Sequence, residues 1–170
     1  MLAGALLSST LFPQLMGAAL LLLSLWLFAF DLARVTVRQT KLPRYIAVCL
    51  LAGYFWLGLG GLLMLADTAF DGALHAIFLG FVFSMVMGHA PVILPAVLRT
   101  PLPYKSVLYL PLALLHASVA ARVIGELLPS VKILGAWGNA AAIALFIVTA
   151  AALALSRASS GRRTRSAPGR

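Results

Sequence analysis

Residues 71–98, DGALHAIFLGFVFSMVMGHAPVILPAVL, decide the fold. The stretch is apolar and exceeds the roughly 20 residues that a helix needs to cross a bilayer. It also carries two histidines, His75 and His89. An ionisable side chain inside hydrocarbon usually faces the bundle interior and marks a functional site. At about 100° per residue, His75, Phe78, Val82, Met85, Val86 and His89 share one side of an ideal helix. Along its axis the two imidazoles then stand roughly 21 Å apart, at 1.5 Å per residue. The opposite side carries Gly80, Ser84 and Gly88, a spacing that lets a second backbone or a flat cofactor approach closely. Pro91 and Pro95 are expected to kink or loosen the last turns, near His89.

The composition around this stretch is of the same kind. Of 170 residues, 62% are hydrophobic and 10% charged, and the mean hydropathy is +1.03. A soluble domain of that size cannot hide so much apolar surface, so the sequence reads as an all-α, polytopic transmembrane helix bundle. Five spans are expected, at about 12–30, 44–66, 72–98, 104–128 and 131–156, forming one domain over 1–156. Residues 157–170, RASSGRRTRSAPGR, are small, polar and basic, and read as a disordered tail. The single cysteine, Cys49, lies in an apolar span and reads as a buried structural thiol. Helix two is dense in glycine (Gly53, Gly58, Gly60, Gly61), which favours tight packing or a bend. Helix four carries a second small-residue stripe, Ala113, Ala117, Ala121 and Gly125.

Charge is distributed by loop. Of thirteen Lys and Arg, all but Arg122 and Lys132 fall in the first loop, the third loop or the tail, while Asp67, Asp71 and Glu126 occupy the alternate side. The positive-inside rule then places the N-terminus outside and the C-terminus in the cytoplasm. A bacterial inner membrane suits this pattern. The net charge of +9 is explained by topology and by attraction to anionic lipid, with no nucleic-acid partner implied.

Chemistry rests on the histidines. Helices three and four are short-linked antiparallel neighbours, with residues at equal depth summing to about 201. His89, His116 and Met85 then converge on one metal, and His75 pairs with Glu126 or Arg122 or serves a separate centre. Imidazoles from facing helices suit haem b; imidazole with the thioether of Met85 or Met87 suits copper. A bis-histidine pair of haems needs four ligands and the chain has three histidines, so a homodimer is one way to complete such a site. Arg122 is read either as snorkelling to the outer interface or as the clamp of a haem propionate. The plainer reading of each histidine is a hydrogen-bonded packing residue, and of each methionine, core filling. No nucleophile–base pair, phosphate loop, dinucleotide motif or carboxylate pair is present, which leaves hydrolase and kinase chemistry without support.

The segments HAIFLGFVFSMVMGHAPVILP and LYLPLALLHASVAARVIGEL resemble part of the NnrS-type membrane proteins, over about Asp71 to Leu127. The likeness rests on a histidine opening a helix, an internal Gly and Met, a second histidine near the end, and a later histidine-bearing helix. Members of that family have more spans than the five read here. The resemblance implies haem and copper, with His75, His89 and His116 as the matching positions, and a role in the response to nitric oxide. The function expected is therefore redox or gas-ligand handling, as in nitric-oxide stress or respiratory electron transfer. Two rivals are a structural or assembly subunit of a larger membrane complex and a small proton-coupled transporter, the latter without a visible inverted repeat.

Overall fold

The structure, a computed structural model, describes the backbone of residues 2–98 and 103–165 and the side chains of residues 11–97 and 103–156. Among these residues the regular structure is helical, with no strand. Helix α1 spans Leu2–Phe30, a short α2 spans Ala33–Thr36, and α3 spans Lys41–Leu65. The third span is built from α4 (Phe70–His75), a π-helical stretch (Ala76–Phe83) and α5 (Ser84–Leu98). A 3-10 turn, Ser106–Leu108, leads into α6 (Tyr109–Ile124), and α7 runs Pro129–Arg165. Five helices are long and apolar enough to cross a membrane: Leu11–Phe30, Lys41–Leu65, Phe70–Val97, Ser106–Ile124 and Pro129–Ser156.

These bounds follow local chemistry. Pro129 opens α7 at the first helical position, where its missing N–H costs nothing. Two prolines expected to loosen the third span, Pro91 and Pro95, are carried inside α5, which continues to Leu98. Helix α7 runs on past Ser156 to Arg165, into the basic stretch that follows the last span. Ala and Arg are good helix formers, and no proline interrupts that stretch. Residues 166–170 lie outside the described residues, as does Arg99 of the third loop.

Glycines set how closely the spans pack. A Cβ placed on Gly17 would stand 2.5 Å from the Leu65 amide nitrogen and 2.6 Å from the Gly61 carbonyl, so α1 and α3 meet backbone to backbone. Ser24 Oγ donates to the Tyr54 carbonyl at 2.7 Å across the same contact. The glycines of α3 thus serve close packing.

The third span departs from an ideal helix. A π-helical turn is closed by bonds to the carbonyl five residues back and holds ~4.4 residues instead of 3.6; at the start of the segment the Ala76 N–H still bonds Gly72 and Ala73. Gly72, Ala76, Gly80, Ser84 and Gly88 recur every four residues and all are buried. An ideal α-helix would carry such a series round by about 40° per step; the widened turn keeps it facing α3. Gly80 lies against Trp56 and Gly88 against Cys49, while Ser84 Oγ donates to the Cys49 carbonyl at 2.8 Å. Helix α6 shows the contrast. It keeps ordinary pitch, so its four-spaced stripe drifts off the interface: Ala113 and Ala117 are exposed and only Gly125 is buried, against Lys132 of α7.

The widening also rotates the histidines. Eight π-helical residues at ~82° in place of 100° change the azimuth between His75 and His89 by about 140°. The two rings therefore leave opposite flanks of the span, not the single face that even 100° spacing predicts. His75 falls on the flank of Leu79 and Phe83, where Phe83 meets Phe146 of α7 edge-on at 6.3 Å. His89 falls on the flank of Ile77 and Phe81, which lie against Gly60 and Gly53 of α3.

Candidate functional site

His75 closes α4 at one end of the bundle. Its Nδ1 lies 2.7 Å from the Asp71 carbonyl, one turn back, and 3.4 Å from Asp71 Oδ1. A carbonyl only accepts, so Nδ1 carries the proton and Nε2 keeps its lone pair. The side chain is 26% exposed and opens on a shallow apolar recess of about 280 Å³ lined by Leu74, His75, Phe78 and Leu79.

Asp71 is the hub of a charge cluster that joins three elements. Its Oδ2 forms ion pairs with Arg122 Nη2 of α6 at 3.0 Å and with Lys132 Nζ of α7 at 3.1 Å. Lys132 Nζ also reaches Glu126 Oε1 at 2.9 Å. The Arg122 guanidinium is thus held by Asp71, and Glu126 pairs with Lys132, not with Arg122 or His75. The partner expected for His75 came from a register that is off by about a turn: Gly72 packs on Glu126, and Gly80 lies against Trp56, the partner of His116.

His89 repeats the local arrangement of His75. Its Nδ1 lies 2.8 Å from the Met85 carbonyl, again one turn back, which leaves Nε2 as the acceptor. Met85 meets His89 through its backbone; Met87 is fully buried in the core.

His116 is different in kind. Trp56 Nε1–H donates to its Nδ1 at 2.9 Å, with the ring planes within 9° of parallel. An indole N–H only donates, so Nδ1 supplies the lone pair and the proton sits on Nε2. That Nε2 is buried with no partner. In this state it has no lone pair for a metal. Trp56 stands sixty residues from His116 in the chain, so nothing local in the sequence signals this bond.

The three histidines do not meet. Gly88, next to His89, lies against Cys49, whereas His116 bonds Trp56. Cys49 and Trp56 are two turns apart on α3, about 10 Å at 1.5 Å per residue. The contacts that flank His89 and those that hold His116 thus lie at different depths along α3. Among the described residues, no group of three His, Cys, Asp or Glu is placed to hold a metal ion. As a donor set for haem, His75 and His89 fit the single-imidazole case, with Nδ1–H anchored to a carbonyl as outer-shell partners of ligating histidines commonly are. They do not fit a bis-histidine centre within one chain.

The profile of a domain of unknown function, DUF8744, matches residues 1–155. The chain belongs to the DUF8744 family. The match covers all five spans of this DUF8744 protein. No curated protein and no solved structure matches it. A smaller polar junction joins α6 and α7 of this DUF8744 chain, where Ser118 Oγ lies 2.6 Å from Asn139 Oδ1.

Proposed function

We propose that the protein is an integral membrane haem b protein that handles a small gas ligand, with His75 as the axial ligand and His89 as a second donor of the same type. The observation that carries this reading is the anchored Nδ1 of His75, which leaves Nε2 free beside an apolar recess. The likeness of residues 71–127 to NnrS-type proteins supports it. One imidazole per site favours gas-ligand handling over bis-histidine electron transfer. A haem held by His75 would supply an iron able to bind a diatomic gas. The chain's own part is to fix the ring through Asp71 and to keep water away with Leu74, Phe78 and Leu79. A propionate near Arg122 would have to share a guanidinium that Asp71 already holds. Copper draws less support, because Met85 meets His89 by its carbonyl.

The distribution of Lys and Arg supports an N-terminus outside and a cytoplasmic C-terminus in a bacterial inner membrane. Reporter fusions at the two termini test that orientation; equal cytoplasmic signal from both would overturn it. The haem reading is tested by reduced-minus-oxidised spectra of purified protein with and without carbon monoxide. We expect haem b bands that shift with the gas, are lost in His75→Ala and persist in His116→Leu. A colourless, iron-free protein refutes the reading, as does a spectrum that survives loss of both His75 and His89.

A further inference from the structure

Two cavities open where the first loop meets the bundle. One, of about 450 Å³, is lined by Arg34 and Arg38 together with Asp31, so its charge is partly balanced from within. The other, of about 340 Å³, lies between the starts of α3 and α6 and is lined by Thr40, Lys41, Arg44, Tyr104, Ser106 and Tyr109, with Val48 on its wall. This second cavity contains two cations and no acid. Every ion pair among the described residues involves Asp71 or Glu126, at the opposite end of the bundle.

We propose that the cavity between α3 and α6 is a binding site for the phosphate headgroup of an anionic phospholipid. Three further observations carry the argument. First, the cavity has the donors a phosphodiester needs: the Lys41 ammonium, the Arg44 guanidinium, and the hydroxyls of Thr40, Ser106, Tyr104 and Tyr109. Arginine suits phosphate oxygens because its fork can bond two at once. Second, two of its lining rings are braced from behind by Tyr45. The Tyr45 ring is fully buried and packs on Tyr109 edge-on at 5.1 Å and on Tyr104 at 6.1 Å. Third, its depth matches a headgroup. Lys41 and Ser106 begin two of the five spans, so the cations sit at the membrane surface, while Val48 lines the wall about two turns deeper into α3. A soluble anion has no use for that apolar wall; a lipid's acyl chain does. Basic pockets between spans are a recurrent way to hold anionic headgroups.

The test is native mass spectrometry of detergent-solubilised protein incubated with equal amounts of phosphatidylglycerol and phosphatidylcholine. Detergent removes the diffuse attraction of a charged bilayer, so only a held lipid is counted. The wild type is expected to retain one phosphatidylglycerol in preference to phosphatidylcholine. Lys41→Gln with Arg44→Gln should lower that occupancy about thirtyfold, two cations' worth of attraction to an anionic headgroup. Arg34→Gln with Arg38→Gln removes the same formal charge next door and should leave it unchanged. If the first pair fails to assemble, Ser106→Trp keeps both cations, fills the cavity and should likewise lose the lipid. Equal loss in both charge pairs, no lipid preference in the wild type, or displacement of the lipid by millimolar glycerol 3-phosphate would each overturn the proposal.

Discussion

Replacing Trp56 with Phe keeps an aromatic ring against Gly80 and removes the one proton that His116 Nδ1 accepts, at 2.9 Å. In a water-soluble core such a bond is worth about 0.5–1.5 kcal/mol net, and stranding its buried acceptor costs about 1–3 kcal/mol. Both partners here lie inside membrane spans, Lys41–Leu65 and Ser106–Ile124. In a bilayer the unfolded reference also finds partners, so measured interhelical bonds average ~0.6 and reach ~1.7 kcal/mol. The bilayer figure decides, and a double-mutant cycle of Trp56→Phe with His116→Leu should give a coupling of about 0.6–1.7 kcal/mol. Reversible unfolding in mixed micelles measures it. A coupling within the ~0.3–0.5 kcal/mol scatter of independent sites would refute the bond. Nitrogen NMR of labelled histidine adds a second readout. His116 should show the Nε2–H tautomer in the wild type and a mixture in Trp56→Phe; a dominant Nδ1–H form in the wild type would sink the argument that excludes His116 as a ligand.

Two other substitutions probe the frame around the site. Gly17→Leu forces a side chain into backbone atoms 2.5–2.6 Å away on α3, which no rotamer can relieve; the cost should exceed the ~1–3 kcal/mol of ordinary overpacking, seen as loss of folded protein in size-exclusion profiles. Asp71→Asn removes the carboxylate shared by Arg122 and Lys132 while leaving the carbonyl that anchors His75. It should lower the thermal midpoint modestly, since Asp71 is 42% exposed, and high salt should narrow the gap between variant and wild type. A gap that widens with salt would contradict a screened ion-pair role.

The helix count and the spans were legible in the sequence because a bilayer demands about 20 apolar residues per crossing, and charged loops punctuate them. The use of Gly80, Ser84 and Gly88 as a packing stripe was equally legible, since small residues at one spacing have one common purpose. What the stripe implied for the histidines was not. A spacing of four overshoots an α-helical turn by about 40° and falls about 32° short of a π-helical one, so only a span that mixes the two keeps the series on one side, and even 100° steps conceal the difference. That error accumulates over Ala76–Phe83 and carries His89 off the flank assigned to it. The charge cluster was missed for another reason. Asp71, Arg122 and Lys132 lie on three different helices, and Asp71 reads in sequence as a loop residue. The Nδ1 bonds of His75 and His89 have a local cause, the carbonyl one turn back, whereas that of His116 depends on a partner sixty residues away.

The π segment also gives the third span a mechanical character. Its N-terminal half is clamped through Asp71 to α6 and α7, and its C-terminal half is seated by Gly88 against Cys49. The π segment lies between those two anchors. The widened turns therefore set a fixed angular offset between two anchored halves, and with it the opposed directions of His75 and His89.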